Sequence, residues 1–320
     1  MHLFHTKLCD LLGIKYPVIL GGMVWAGEAG LVAAVSNAGG LGLIGSGNIP
    51  EENLKEEIKK VKSLTDKPFG INIVPLAGVS MDERIKTIAE AGIPIVAAAF
   101  SDPTAPIIAE LHQYNVKVLA VVPSVKLARR VEEEGADVIV ASGTEAGGHC
   151  SYVATMPLVP QVVDAVNVPV VACGGIGDAR GFLAALALGA CGIQMGTRFL
   201  VTQECITHPF YKNAILQAGD DDTIITGKLT GTTCRVLKNN LSEEWLRKEK
   251  DKKTTKKELQ TLGVGKIKSA LIDGDIEYGS VACGQIAGMI KKIKRVDEVL
   301  DEIISGAEKI YNSISSPFLK

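Results

Sequence analysis

Aromatic residues are scarce in this sequence. Two tryptophans, six tyrosines and seven phenylalanines make up 5% of its 320 residues, which argues against an aromatic-rich β-sandwich. Paired cysteines are missing too: Cys9, Cys150, Cys173, Cys191, Cys205, Cys234 and Cys283 are odd in number and scattered, with no C-x-x-C. That excludes a disulfide framework or a zinc ribbon and fits a reducing compartment, where most of them serve as small buried hydrophobes. No apolar run reaches the roughly 18 residues of a membrane span. The opening stretch MHLFHTKLCDLLGIKYPVIL lacks the long apolar core of a secretory signal. A soluble, cytoplasmic protein is expected. Charge of one sign is not in excess either, since 34 basic against 36 acidic residues leave a net charge of -2. Neither nucleic acid nor an anionic membrane is therefore an expected partner. No P-loop and no Ser/His/Asp elbow is present.

What the chain has in quantity is aliphatic residues and glycine: 47% of positions are hydrophobic and 34 are glycine. Short, uniformly apolar runs recur at 17–20, 41–44, 69–74, 95–99, 116–122, 137–141, 168–173 and 190–195. Such runs read as strands buried on both faces, hence as a parallel sheet. Between them lie helix signals. Pro50 precedes EENLKEEIKKVKSL, Ser124 precedes VKLARRVEEEG, which Gly135 closes, and Asp178 precedes ARGFLAALALG, which Gly189 closes. Eight alternating units over some 200 residues predict an α/β fold, a (β/α)8 TIM barrel rather than a doubly wound sheet of five or six strands. Residues 1–204 form that barrel in this reading. Residues 205–280, with the charged run EEWLRKEKDKKTTKKE, are expected to form an inserted, mostly helical cap after strand eight. Residues 281–320, VACGQIAGMI and then VDEVLDEIISGAEKIYNSI, should return as helices packed on the barrel.

The formal G-x-G-x-x-G at Gly40, Gly42 and Gly45 invites a dinucleotide-binding reading, but a helix precedes it and the strand overlaps it, the reverse of the order that fingerprint needs. Close packing around strand two accounts for it. The loops at the C-terminal ends of the strands carry more chemistry. After strand six, ASGTEAGGHC holds Glu145, Gly147, Gly148 and His149, and an imidazole there can exchange a proton near neutral pH. After strand seven comes ACGGIGD with Gly174 and Gly175; strand eight ends in QMGTRF with Gly196 and Thr197. Glycine N–H groups beside a helix start at these two rim positions make an anion cradle, the recurrent phosphate site of such barrels. Strand one runs into GGMVW, so Gly22 and Met23 lie at the same face, and Asn72 falls within FGINI. Together they suit the flat face and polar edge of a ring. The other four histidines show no ligand spacing, and no metal site is expected.

Taken together, GGMVW, AGGLGLIGSGN, KPFGINI, VVPSV, EAGGH, ACGGIGD, GTRF and GSVACGQIAG resemble the nitronate monooxygenase (2-nitropropane dioxygenase) superfamily. Within it they are most similar to the flavin-dependent enoyl-acyl-carrier-protein reductases of type II, from about Leu8 through GQIAG. The resemblance implies FMN in a TIM barrel, NADH as co-substrate, and reduction of the 2,3 double bond of enoyl thioesters on acyl carrier protein. Carried over, Gly22, Met23 and Asn72 would border the flavin ring. Ser124 and Glu145 would lie on the ribityl side, and Gly147, Gly174, Gly175, Gly196 and Thr197 would hold the tail and phosphate. His149 matches the active-site histidine. Cys173 departs from the pattern where alanine is common. A homodimer is expected, and Lys248, Lys250, Lys252 and Lys253 are candidates to meet an acidic carrier. The alternative within the superfamily is oxidation of alkyl nitronates with FMN and O2; outside it, a catalytically silent ligand-binding barrel.

Overall fold

The computed structural model describes residues 3–47, 49–74, 80–99 and 105–318. Helix α1 (Lys7–Leu12) precedes β1 (Val18–Leu20), α2 (Ala29–Asn37), β2 (Gly42–Gly45), α3 (Glu51–Leu64), β3 (Phe69–Ile73), α4 (Met81–Glu90), β4 (Ile95–Ala99) and α5 (Ala105–Gln113). Then follow β5 (Lys117–Val122), α6 (Val125–Glu133), β6 (Val138–Ser142), a two-residue strand β7 (Gly148–His149), α7 (Thr155–Val163), β8 (Val170–Cys173), α8 (Ala179–Ala187), β9 (Gly192–Met195) and the short α9 (Thr197–Leu200). Eight strands pair in parallel in the order β1-β9-β8-β6-β5-β4-β3-β2. Leu20 N–H donates to the Leu41 carbonyl and Leu41 N–H to that of Val18, both at 2.9 Å, so the sheet closes on itself. The structure is thus the (β/α)8 barrel expected, with every strand within two residues of its predicted bounds.

Alternate strand residues part ways, as the period of two requires. Ile19, Leu43, Ala97, Leu119, Val140 and Val171 fill the interior. Their neighbours Leu20, Ile44, Ala98, Val118, Ile139 and Ala172 pack under the helices. Helix α1 contributes Leu8, Cys9 and Leu12 to the interior cluster and plugs its N-terminal end; a Cβ on Gly192, the first residue of β9, would lie 2.6 Å from Leu8 Cδ2. The helix starts follow the capping signals. Ser124 accepts from Leu127 N–H, and Asp178 from Arg180 and Gly181 N–H. Gly135 and Gly189 take φ of 105° and 91°, the left-handed region that ends a helix.

Beyond the barrel come α10 (Pro209–Gln217), an antiparallel hairpin of β10 (Thr223–Thr226) and β11 (Cys234–Leu237), α11 (Asn240–Lys250), α12 (Lys256–Gly263), α13 (Lys266–Leu271) and α14 (Val296–Phe318). The charged run is two helices, α11 and α12, each opened by a capping box. Two features depart from the sequence reading. Strand β11 pairs on its other edge with β7, so the segment after the barrel contains a sheet that reaches back into the loop after β6. And GQIAG is not an α-helix but a 3-10 turn, Gln285–Met289, because its glycines are used for close backbone approach: a Cβ on Gly284 would lie 2.6 Å from the Glu145 carbonyl oxygen, and one on Gly288 2.8 Å from that of Gly219. Helix α14 lies against α8, where a Cβ on Gly306 would be 2.8 Å from Ala179 Cβ. Among the described residues no helix is long and apolar enough to cross a membrane.

Close approach also fixes β2 against α2. A Cβ on Gly42 would sit 2.2 Å from the Val32 carbonyl oxygen, a backbone atom that cannot step aside. Gly42→Ala is expected to cost about 2–4 kcal/mol of stability, read as a lower denaturation midpoint at unchanged slope in urea.

Candidate active site

The C-terminal ends of the strands carry a polar tier above the apolar interior. Ser142, Cys173 and Gln194 stand at matched registers on β6, β8 and β9. Gln194 Nε2 lies 3.7 Å from Cys173 Sγ, while its Oε1 is buried with no partner, in a side chain 7% exposed. Burial raises the Cys173 thiol, with hydrogen bonds from Ser142 and Gln194 pulling the other way. Asn72 is equally buried at 7% exposure. It faces the backbone of Gly22, where a Cβ would lie 2.1 Å from Asn72 Cγ. Any residue larger than glycine there would displace the amide.

The loop after β1 folds over the end of β2. Met23 accepts from Ala26 and Gly27 N–H, a Cβ on Gly45 would meet the Met23 oxygen at 2.1 Å, and Met23 Sδ lies 3.3 Å from the Cβ position of Gly196. Gly22, Met23, Asn72 and Gly196 are therefore neighbours. Trp25, at the end of this loop, takes φ of 68°, and Lys268 of α13 stands 5.4 Å over its ring.

A second group forms around Glu145. Its carboxylate accepts from Thr155 N–H at 2.9 Å and from the Thr155 hydroxyl at 2.8 Å, and its side chain lies 3.5 Å from the Cβ position of Gly175. Gly174 and Gly175 take φ of 97° and 72°, which only glycine holds without strain. Gly147 rests on Cys283 and Gly284, 2.5 Å from where its Cβ would be. Gly284 N–H in turn donates to the Thr197 hydroxyl at 2.8 Å, and Gln285 N–H to the Glu145 carbonyl at 3.0 Å. These contacts bring Glu145, Gly147, Gly174, Gly175 and Thr197 into one cluster. The Ser124 hydroxyl, just after the end of β5, is engaged in capping α6.

His149 lies in β7 opposite Cys234 of β11. Solvent reaches the ring, yet the protein packed around it costs the imidazolium hydration and pushes its pKa below the ordinary 6.5. The ring is thus neutral at pH 7. It can accept a proton or donate one N–H to a developing oxyanion, as neutral imidazoles do in other barrels. The nearby thiols do not compete as nucleophiles, since burial lifts Cys234 and Cys283 to about 12. Other histidines serve elsewhere: His5 meets Asp10, His112 meets Asp137 and His208 caps α10; His2 lies outside the described residues. No group of three potential metal ligands occurs among the described residues.

Sequence reasoning missed Thr155, Gln194, Gly284 and Arg235. Gln194 was within reach as a lone amide in an apolar strand, and Gly284 as an unexplained glycine in GQIAG. Thr155 and Arg235 carry no local signal, because each acts on a loop distant in the chain.

The fold and rim define a (β/α)8 barrel with a histidine, a polar tier and a glycine cradle at its C-terminal face, and the family and neighbours make it an oxidoreductase. The family sequence profile described as nitronate monooxygenase matches residues 5–83 and 75–306, and the chain belongs to that family. It is 36% identical to a 5-hydroxy-7a-methyl-1-oxo-octahydro-1H-indene-4-carboxyl-CoA dehydrogenase of Mycobacterium tuberculosis, over 94% of this chain and 96% of the other. It is also 36% identical to a "Probable nitronate monooxygenase" of Staphylococcus saprophyticus, over 73% and 79%. Among solved structures, FabK from Thermotoga maritima matches at 40% identity with a TM-score of 0.94, over 98% of this chain and 99% of that one.

The lowered basicity of His149 is directly measurable. An NMR pH titration of the imidazole, assigned by its disappearance in His149→Gln, should give a midpoint below 6.5. A midpoint at or above that value would mean that a neighbouring charge, not burial, governs the ring.

Proposed function

We propose that this protein is an FMN-containing, NADH-dependent enoyl-acyl-carrier-protein reductase that reduces the 2,3 double bond of enoyl thioesters. The observation that carries the reading is the end-to-end likeness to FabK, an enoyl-acyl-carrier-protein reductase of type II. It spans the barrel and also the segment after it, whose hairpin and 3-10 turn complete the loop bearing His149. The carboxyl-CoA dehydrogenase among the relatives, a thioester enzyme by its name, points the same way.

The residues present fit FMN. The unpartnered, buried Gln194 oxygen asks for an N–H donor of the kind a flavin's pyrimidine edge offers. The crowded glycines Gly22 and Gly45 leave a flat backbone ledge beside Asn72. The left-handed pair Gly174 and Gly175, close to Thr197 and the start of α9, suits a phosphate. In this reading Gly22, Met23 and Asn72 border the ring, Ser124 and Glu145 lie toward the ribityl chain, and Gly147, Gly174, Gly175, Gly196 and Thr197 hold the tail. FMN supplies the transfer of hydride between NADH and the enoyl β-carbon. The chain's own residues orient the thioester, exclude water and handle charge. Reduction places negative charge on the thioester oxygen, and a neutral His149 N–H is suited to stabilise it before the α-carbon takes its proton. The carrier would be an acidic protein meeting Lys248, Lys250, Lys252 and Lys253, and the working unit a homodimer.

The family also supports a second reading, nitronate oxidation with O2, in which neutral His149 acts as the base. The electron partner separates the two. Anaerobic NADH should bleach the absorbance of bound FMN near 450 nm, and crotonyl thioester should restore it. Failure of both steps, with turnover of an alkyl nitronate in air, would overturn the reductase reading. His149→Ala should lower kcat about 10²- to 10⁴-fold with FMN retained; unchanged turnover at saturating NADH would leave His149 a structural residue.

A further inference from the structure

Arg235 is one of four buried Arg and Lys side chains among the described residues, with Arg84, Arg198 and Lys212. Arg84, 3% exposed, is paired with Glu51 at 2.9 Å, Arg198 has Glu302 as its charged neighbour, and Lys212, like Arg235, has only neutral hydrogen-bond partners, the carbonyls of Thr202 and Cys205 at 2.6 Å. Arg235 is 5% exposed and has only neutral partners. Its Nε donates to the Thr144 carbonyl at 2.8 Å and its Nη1 to the Thr223 hydroxyl at 2.9 Å. Among the described residues no carboxylate lies within ion-pair distance of it. A guanidinium without a counter-charge is expensive to bury, and neutral hydrogen bonds recover only part of the lost hydration. An anion that shares its surroundings offsets the rest.

Its position says where that anion would be. On β11, Arg235 stands opposite Gly148, and its neighbour Cys234 opposite His149. The carbonyl it holds, Thr144, is one residue before Glu145, at the root of the loop. Its charge also reaches Cys283 and Cys150, whose thiols it pulls down against the effect of burial, and Cys283 is the residue on which Gly147 rests. The positive charge therefore sits beside the whole Glu145–His149 loop.

We propose that Arg235 is a positioning residue with an electrostatic part: it fixes the Thr144 carbonyl, and so the Glu145–His149 loop, and it supplies the positive charge that offsets negative charge gained at the FMN site during turnover. This rests on the FMN part of the proposed function but not on the choice of electron acceptor, because the offset is needed with either one. A barrel with only a structural arginine here would not link that side chain to the potential of the bound cofactor.

The test uses FMN-loaded holoenzyme and reads the midpoint potential of the bound flavin, with kcat and KM alongside. Arg235→Gln keeps an N–H donor for Thr144 and loses the charge, Arg235→Met loses both, and Arg235→Lys keeps the charge. The neutral variants should bind reduced over oxidised FMN at least tenfold less favourably than the parent, about 30 mV lower for a two-electron couple. Their kcat should fall 10-fold or more while KM changes less than 3-fold, and Arg235→Lys should recover most of both. Should one neutral variant fail to fold, the other gives the same reading. Potentials equal to the parent in a folded neutral variant would overturn the proposal, as would equal losses in Lys and Gln. A protein that takes up no FMN at all would sink the cofactor reading instead, a result distinguishable by its lack of colour.

Discussion

The arrangement of the rim depends on one backbone contact. Gly147 meets Cys283 and Gly284 so closely that a side chain on either glycine would strike main-chain atoms. Two hydrogen bonds flank the contact, from Gly284 N–H to Thr197 and from Gln285 N–H to the Glu145 carbonyl. Through them the loop after β6, the end of β9 and the segment after the barrel become one unit. Backbone atoms cannot yield as side chains can, so the geometry is set once and held. The hairpin β10–β11 adds a second seam by pairing with β7. His149 is thereby carried on a short strand rather than on a free loop, although the loop springs from the barrel.

Burial then sorts the polar groups gathered there. The thiols are pushed up and rendered inert, the imidazole is kept neutral, and a guanidinium is retained without a carboxylate partner. The result is a site with one buried guanidinium, the Glu145 carboxylate, neutral proton chemistry and a glycine cradle. In the proposed reading such a site would leave bond-making to a bound cofactor and contribute orientation and field. The chain matches the nitronate monooxygenase profile and is similar to proteins named for different reactions.

The barrel was legible because each strand is buried on both faces, so its apolar run is unbroken, and because Ser124 and Asp178 mark helix starts that local hydrogen bonds satisfy. The rim glycines were legible in position for a related reason: Gly174 and Gly175 need left-handed backbone, a local demand written into the residue type. What contacts each glycine was not. GQIAG reads as helix until Gly284 is seen against the Glu145 carbonyl. Residues 223–237 carry no hairpin signal strong enough to foretell that their free edge would seek β7.

By itself, then, the sequence determined the parallel barrel, the rim that carries the glycine loops and His149, and the family, all of which follow from local periodicity, capping and short motifs. Only the tertiary structure decided which loops touch, that Arg235 is buried opposite Gly148 with no carboxylate partner among the described residues, and that Gln194 keeps an oxygen unpaired among them. These are properties of contacts between residues tens of positions apart. The energy of such contacts depends on burial and on the partner atom, and neither is encoded at the residue that needs it.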